Sequence, residues 1–256
     1  MQNVSLDIAG GEFLAIMGRN ASGKSTLTRL LAGLFPPIAG QVEIDGIDTR
    51  KDISRRVRRL VGLMLAGADQ QFVSNIVEED LAFGPENQGL PANQIRQRVD
   101  TALKMVSMEE FAKHPPYLLS GGQKAKIALA GLLAMNPRYL VLDEPFSYLD
   151  AGSIEEIMKI LSRWSNDEQG TLILVTHELE PALQADRIVV LQDGRLGFCG
   201  KPYELLAQGN KRLREWGIEP GEISLLAENI NKSLSYPAVN DVKRPDQLVE
   251  MLCRLS

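Results

Sequence analysis

The stretch Gly18-Arg19-Asn20-Ala21-Ser22-Gly23-Lys24-Ser25-Thr26 fits the pattern G-x-x-x-x-G-K-[ST] and constrains the fold more than any other part of the chain. Its glycines let the backbone wrap with N–H groups pointing inward, and a helix that follows presents its positive dipole end to the same point. An anion belongs there. Lys24 adds a point charge for the outer phosphates, and the Ser25 hydroxyl is placed to coordinate a magnesium ion shared with them. The blander alternative is a glycine-rich turn that only caps a helix. Context decides against it: the apolar, strand-length run Glu12-Phe13-Leu14-Ala15-Ile16-Met17 precedes the loop, and Leu27, Leu30, Leu31 and Leu34 repeat at helical spacing after it.

Around this loop the chain alternates strand and helix signals. Val4, Leu6 and Ile8 alternate with polar residues, which predicts a half-buried strand, and Gly10-Gly11 turns the chain into the next one. Pro36-Pro37 forces the first helix to stop, and residues 41–46 read as antiparallel material closed by an Asp45-Gly46 turn. Lys51, Arg55, Arg56, Arg58 and Arg59 read as the wet face of a short helix. Leu60-Val61-Gly62-Leu63-Met64-Leu65 is a further strand opening into a loop of small residues, Ala66 to Gln71. Residues 76–106 then carry helical signals, with Glu78, Glu79 and Asp80 at one start and Pro91 before the next. Ile95, Val99, Ala102, Leu103 and Val106 form an apolar stripe, and a companion helix is expected to end around His114-Pro115-Pro116.

The second half brings more polar groups to strand and helix ends. Ser120, Gly121, Gly122 and Gln123 stand at a predicted helix amino terminus, a second anion-binding end by the same reasoning. Tyr139-Leu140-Val141-Leu142 is a continuous apolar strand, suited to a parallel sheet covered on both faces, and it delivers Asp143 and Glu144. Ligands bind at the carboxyl ends of such strands, so the two acids divide the work: Asp143 to magnesium, Glu144 to polarise an attacking water. The run Thr171-Leu172-Ile173-Leu174-Val175-Thr176 repeats the design and delivers His177, placed to touch a terminal phosphate, whereas His114 sits beside two prolines and takes no role. Residues 186–199 form a hairpin across Asp193-Gly194.

Composition narrows the setting. A formal net charge of −5 argues against a nucleic-acid-binding surface spread over the molecule, and no run approaches the ~18 apolar residues of a membrane span. Cys199 and Cys253 are far apart and lack metal-ligand spacing, so both are read as free thiols in a reducing compartment.

The phosphate loop, Leu119-Ser120-Gly121-Gly122-Gln123, Asp143-Glu144, Leu149-Asp150 and His177 occur in an order that resembles the nucleotide-binding subunit of an ABC transporter. Residues 77–87 resemble its energy-coupling-factor branch, which powers uptake of cobalt, nickel or vitamins, and the tail beyond Gly217 is similar to that branch as well. The resemblance implies an α/β fold: a P-loop NTPase (RecA-like) core at 1–66 and 117–216 with an antiparallel β edge, a helical subdomain at 67–116, and a small C-terminal appendage at 217–256. It implies ATP and Mg2+, the latter on Ser25 and Asp143, with Gly18 to Thr26 binding nucleotide and Glu144 and His177 catalytic. It implies hydrolysis between two subunits facing head to tail, where Ser120, Gly121, Gly122 and Gln123 complete the partner's site and Asp150 makes the dimer contact. The partners implied are a transmembrane subunit, docked near residues 71–85, and a second ATPase subunit in a homodimer or, as favoured here, a heterodimer, with no nucleic acid. The expected location is the cytoplasmic face of the cell membrane.

Three departures from the family pattern qualify the chain's own site. Ala66 stands where the family usually has glutamine, and alanine can neither ligate magnesium nor orient water through an amide. The family usually carries one or two further strands before Val4-Ser5-Leu6, with an aromatic that stacks on adenine, a contact typically worth ~1–3 kcal/mol. Phe146-Ser147-Tyr148 replaces small residues before Leu149-Asp150. The expectation is an unequal pair in which this chain's phosphate-loop site is the weaker. Two other readings are a non-transport ABC ATPase, disfavoured because neither heptads nor an internal repeat occurs, and a non-hydrolysing nucleotide-binding scaffold, disfavoured by the presence of Glu144 and His177.

Overall fold

Parallel strands with both faces covered read as unbroken apolar runs, and three such runs lie side by side in the centre of the sheet. The structure is a computed structural model that describes residues 1–52, 56–67, 72–221 and 225. Its main sheet uses β1 (Phe13–Met17), β4 (Val61–Met64), β5 (Tyr139–Asp143), β6 (Thr171–Val175), β7 (Arg187–Gln192) and β8 (Arg195–Gly200), in the order β4-β5-β6-β1-β7-β8. All neighbours pair parallel except β7 with β8, an antiparallel edge whose β8 residues alternate between half-buried and exposed. Asp193 and Gly194, both with φ near +50 to +75°, make the two-residue turn between them. The same chemistry at Asp45-Gly46 closes a separate two-stranded sheet of β2 (Glu43–Ile44) and β3 (Ile47–Asp48).

Period-two alternation divides the sheet's side chains between two layers of helices. Leu140, Leu142, Leu172 and Leu174 face a cluster shared with α3 (Val77–Asn87), α4 (Ala92–Met105), α5 (Gly121–Ala134) and α6 (Ala151–Glu168). Val141, Ile173, Val175, Leu14 and Ile16 face the other way, towards α1 (Lys24–Leu31) and Val57 of α2 (Arg56–Leu60). Ala15 and Met17 join a third cluster with α7 (Leu179–Ala182), α8 (Pro202–Leu206) and α9 (Gly209–Glu215). The predicted stripe holds: Val99, Ala102 and Leu103 of α4 and Val106 just after it are buried, and Ile95 packs partly against the same core.

Several expectations are corrected. Residues 4, 6 and 8 show the alternation of half-buried and exposed positions, and Leu6 and Ile8 touch the core, yet no strand forms because no neighbouring strand pairs with them. The first helix stops before the prolines, since Gly33 at φ +64° and the bond from Leu34 N to Arg29 O close it, leaving Leu34 outside and 38% exposed. No helix runs to His114: α4 ends at Met105, Ser107 takes φ +57°, and a single 3-10 turn at Glu109–Phe111 follows. The basic residues Arg56, Arg58 and Arg59 are exposed on α2 as expected, while Arg55 and the tail segments beyond 225 lie outside the described residues.

Gly170 marks a close approach between α6 and the start of β6. A methyl placed on it would sit 2.3 Å from the Trp164 ring, which is itself 3% exposed. Gly170→Ala is expected to destabilise the fold by about 1–3 kcal/mol through overpacking, read as a lower urea midpoint by tryptophan fluorescence; an unchanged midpoint would show that the indole swings aside at no cost.

Candidate active site

The register of the central strands places the polar residues. Asp143 of β5 pairs with Val175 of β6, and Val175 pairs with Ile16 of β1, so three carboxyl ends finish in one line. Backbone bonds extend that line by a residue: Glu144 N donates to Val175 O at 2.9 Å and Thr176 N to Ile16 O at 3.1 Å. The residues immediately beyond are Glu144, His177 and the loop from Gly18. Sequence spacing alone predicts the three termini; the strand order makes them neighbours.

Glu144 and His177 meet directly, Nδ1 to Oε2 at 2.8 Å. A carboxylate only accepts, so this contact is a hydrogen bond in the tautomer that carries the imidazole proton on Nδ1. Glu144 adopts φ +52°, a conformation uncommon outside glycine, and is held there by bonds to its carbonyl from Ser147 N and Ser147 Oγ (3.1 Å) and by buried Phe146 two residues on. Thr176, fully buried, accepts from Glu178 N at 3.0 Å and sets the turn that presents His177.

The phosphate loop forms as the motif requires. Gly18, Ala21 and Gly23 take φ of +136°, +64° and +106°, and α1 begins at Lys24 without a side-chain cap. Its first N–H groups therefore have no acceptor within the helix, which is the arrangement that receives an anion. Lys24 is 7% exposed and folds onto its own loop, donating to Gly18 O at 2.6 Å and Arg19 O at 3.2 Å. Burial pushes its pKa below the usual lysine range, against the pull of Glu144 and Asp143. The Ser22 hydroxyl is buried with no partner.

Asp143 tests whether the site suits a cation. It is 4% exposed, its Oδ2 accepts from Thr28 Oγ1 at 3.3 Å, and its Oδ1 is buried with no partner at all. A buried carboxylate oxygen without a partner is costly, and a divalent ion resolves it. Ser25 is exposed in the first turn of α1, the helix whose Thr28 reaches Asp143. Position 66 follows β4, whose Met64 pairs with Leu142, so the exposed Ala66 borders the same edge without an amide to offer.

The Ser120 segment lies elsewhere in the subunit. Ser120 caps α5 with a reciprocal pair of bonds, Gln123 N to Ser120 Oγ at 3.3 Å and Ser120 N to Gln123 Oε1 at 2.9 Å. Gly121 faces Leu149, and a methyl on Gly122 would sit 2.5 Å from Ser153 Oγ. Asp150 caps α6 through Ser153 N and Oγ, both at 2.9 Å, and these bonds hold its carboxyl below the usual range. Tyr148 between them is fully exposed at φ +67°. Sequence reading missed Thr28 and Thr176, whose only signal is a hydroxyl at an otherwise apolar, buried position.

Comparison with known proteins agrees with this geometry. A family model described as ABC transporter matches residues 1–147. The energy-coupling factor transporter ATP-binding protein EcfA of Syntrophomonas wolfei is 46% identical over 254 residues, covering 99% of this chain and 92% of its own. The solved structure of cbiO1 from Clostridium perfringens, part of the ABC transporter complex cbiONQ, matches with a TM-score of 0.76 at 32% identity, covering 91% of this chain and 90% of that one. A dimeric ATP-binding cassette in a post-hydrolysis state bound to ADP and Pi matches at 0.71 and 33% identity, covering 78% and 89%.

The left-handed Ala21 is a local cost within the loop. Ala21→Gly is expected to stabilise the fold by about 1 kcal/mol, seen as a higher thermal midpoint without nucleotide. A lower midpoint would mean that the alanine methyl makes contacts worth more than the strain.

Proposed function

The chain belongs to the ABC transporter family, among the ATP-binding proteins of energy-coupling factor transporters, and from that premise we propose that it hydrolyses ATP at a head-to-tail subunit interface to power an importer of cobalt, nickel or a vitamin. The observation that carries the reading is the Glu144–His177 pair beside the phosphate loop on adjacent strands. Glu144 accepts a proton from the attacking water, and His177 holds that carboxylate in place through Nδ1 while its Nε2 lies 3.6 Å from Glu178 Oε1. Lys24 exchanges the carbonyls of Gly18 and Arg19 for phosphate oxygens, a charge-assisted bond replacing two to neutral acceptors. Asp143 and Ser25 would hold the magnesium that accompanies ATP, and that ion would supply positive charge to the phosphates.

The signature segment serves the opposite subunit. Its neighbours within its own chain are Leu149 and Ser153, and Ser120 and Gly121 are exposed at the positive end of α5, as a segment completing a partner's site must be. Exposed Tyr148 and Asp150 lie on the same face and make the dimer contact. Val73 and Phe83, 63% and 50% exposed on and before α3, offer apolar surface to the membrane subunit, with Asp80 tying the Val73–Ser74 backbone into shape. Among the described residues no helix is long and apolar enough to cross a membrane, so the subunit's place on the cytoplasmic face depends on that docking.

Ala66 makes the pair unequal: this chain's own site is the weaker, and its Ser120 segment serves the stronger site of a different ATPase subunit. In the complex assembled with that subunit, Ser120→Arg in this chain is expected to lower ATP turnover by about 10²-fold or more, as loss of a positioned phosphate contact does. Lys24→Ala in this chain should leave most of the turnover. Equal losses would remove the asymmetry, and full turnover with Ser120→Arg would remove the head-to-tail site. Ala66→Gln should raise the contribution of this chain's own site.

A further inference from the structure

The outer wall of the phosphate loop is built mostly by the end of the ATPase core, with Met1 closing against Gly23. A methyl on Gly18 would stand 2.2 Å from Leu191 O, and Gly194 N donates to Ser22 O at 3.0 Å, so the β7–β8 hairpin backs the loop at two points. A third point comes from the connector after α9. Its Trp216 is 2% exposed, donates from Nε1 to Gln192 Oε1 at 3.1 Å, and carries the Arg212 guanidinium 4.8 Å above its ring. Next to it, Gly217 lies against Arg19 of the phosphate loop so closely that a methyl there would be 2.5 Å from Arg19 Cγ and 3.2 Å from Arg19 Cα.

Helix termination explains only part of this. Ile218 N bonds to Leu213 O at 2.9 Å and Gly217 N to Arg214 O at 3.0 Å, so Gly217, at φ +73°, is the left-handed residue that closes α9. That role is local and requires a positive φ. It does not require the residue to abut a loop from the other end of the chain. The packing of Trp216 and Ile218, the latter fully buried, leaves the connector no room to retreat.

We propose that the Trp216-Gly217 connector is a positioning element for the phosphate loop, and that Gly217 is a positioning residue for nucleotide binding acting through Arg19. The absence of a side chain at 217 lets the connector close on the Arg19 backbone and hold the loop where its N–H groups converge on the phosphates. The inference rests on the nucleotide-binding reading of that loop.

The test compares two glycines of the same α9 region. Gly209 also takes a left-handed conformation, at φ +81°, but a methyl there meets nothing within 4 Å. Gly217→Ala and Gly209→Ala therefore impose similar backbone strain, and only the first reaches the phosphate loop. Affinity for ATP and for a fluorescent ATP analogue is measured on the full chain, well below the thermal midpoint of each variant. A displacement of a few tenths of an ångström is expected to weaken binding about threefold to tenfold in Gly217→Ala, with wild-type affinity in Gly209→Ala. Adding Arg19→Ala to Gly217→Ala removes the closest contact, so the effect of the 217 substitution should shrink in that background. If Gly217→Ala fails to fold, Gly217→Asn keeps a residue tolerant of the left-handed cap while placing the same Cβ against Arg19, and the same loss of affinity is expected. Wild-type affinity in whichever 217 variant folds, or an equal loss in Gly209→Ala, would overturn the proposal. Failure of the wild-type chain to bind nucleotide would overturn the underlying reading as well, and is visible in the wild type alone.

Discussion

Everything in the site depends on the in-register parallel pairing of β5, β6 and β1. A slip of one residue in any of these pairings would turn its apolar set to the wrong layer, so burial on both faces locks the register. The chemistry at the strand ends inherits that precision. Asp143, Glu144, His177 and Gly18 are spread over the chain, yet none needs a long loop to reach the others. The cost of assembling them is included in the cost of forming the sheet.

Rigid support of this kind tolerates strain at its edge. Ala21, Glu144 and Tyr148 are non-glycine residues at positive φ, and all three sit on segments that carry site residues. Each is flanked by something firm: the hairpin behind Ser22, the paired bonds on the Glu144 carbonyl, the capped start of α6 after Asp150. Other positive-φ residues close turns and helix ends, as Asp45, Ser107 and Asp193 do, whereas these three lie where the packed sheet and its helices over-determine the backbone beside the site.

Much of this was legible in the sequence because it is written in local patterns. The spacing from Gly18 to Thr26, the unbroken run before Asp143 and the turn at Asp193-Gly194 each carry their own physical reason within a few residues. What was not legible depends on partners distant in sequence. The alternation of Val4, Leu6 and Ile8 reports correctly that one side is covered, but says nothing about whether a strand stands alongside to take its hydrogen bonds. The leucine stripe of α1 continues to Leu34 in sequence, whereas Gly33 ends the helix first. Thr28 gives no sign of Asp143, nor Gly217 of Arg19, since in each pair one member is a generic small residue whose meaning comes from what the fold brings against it.

The folded-back Lys24 gives the loop a threshold. Two of the three N–H donors of its ammonium are taken up by carbonyls of its own loop, so a small anion must compete with them to be bound. An incoming group must offer more than those carbonyls do, and offer it at the same time as it fills the N–H groups of α1. A single phosphate engages few of these contacts, whereas a polyphosphate chain reaches several together. The loop's own oxygens thus set what the oxygens of a nucleotide must outcompete for this ammonium.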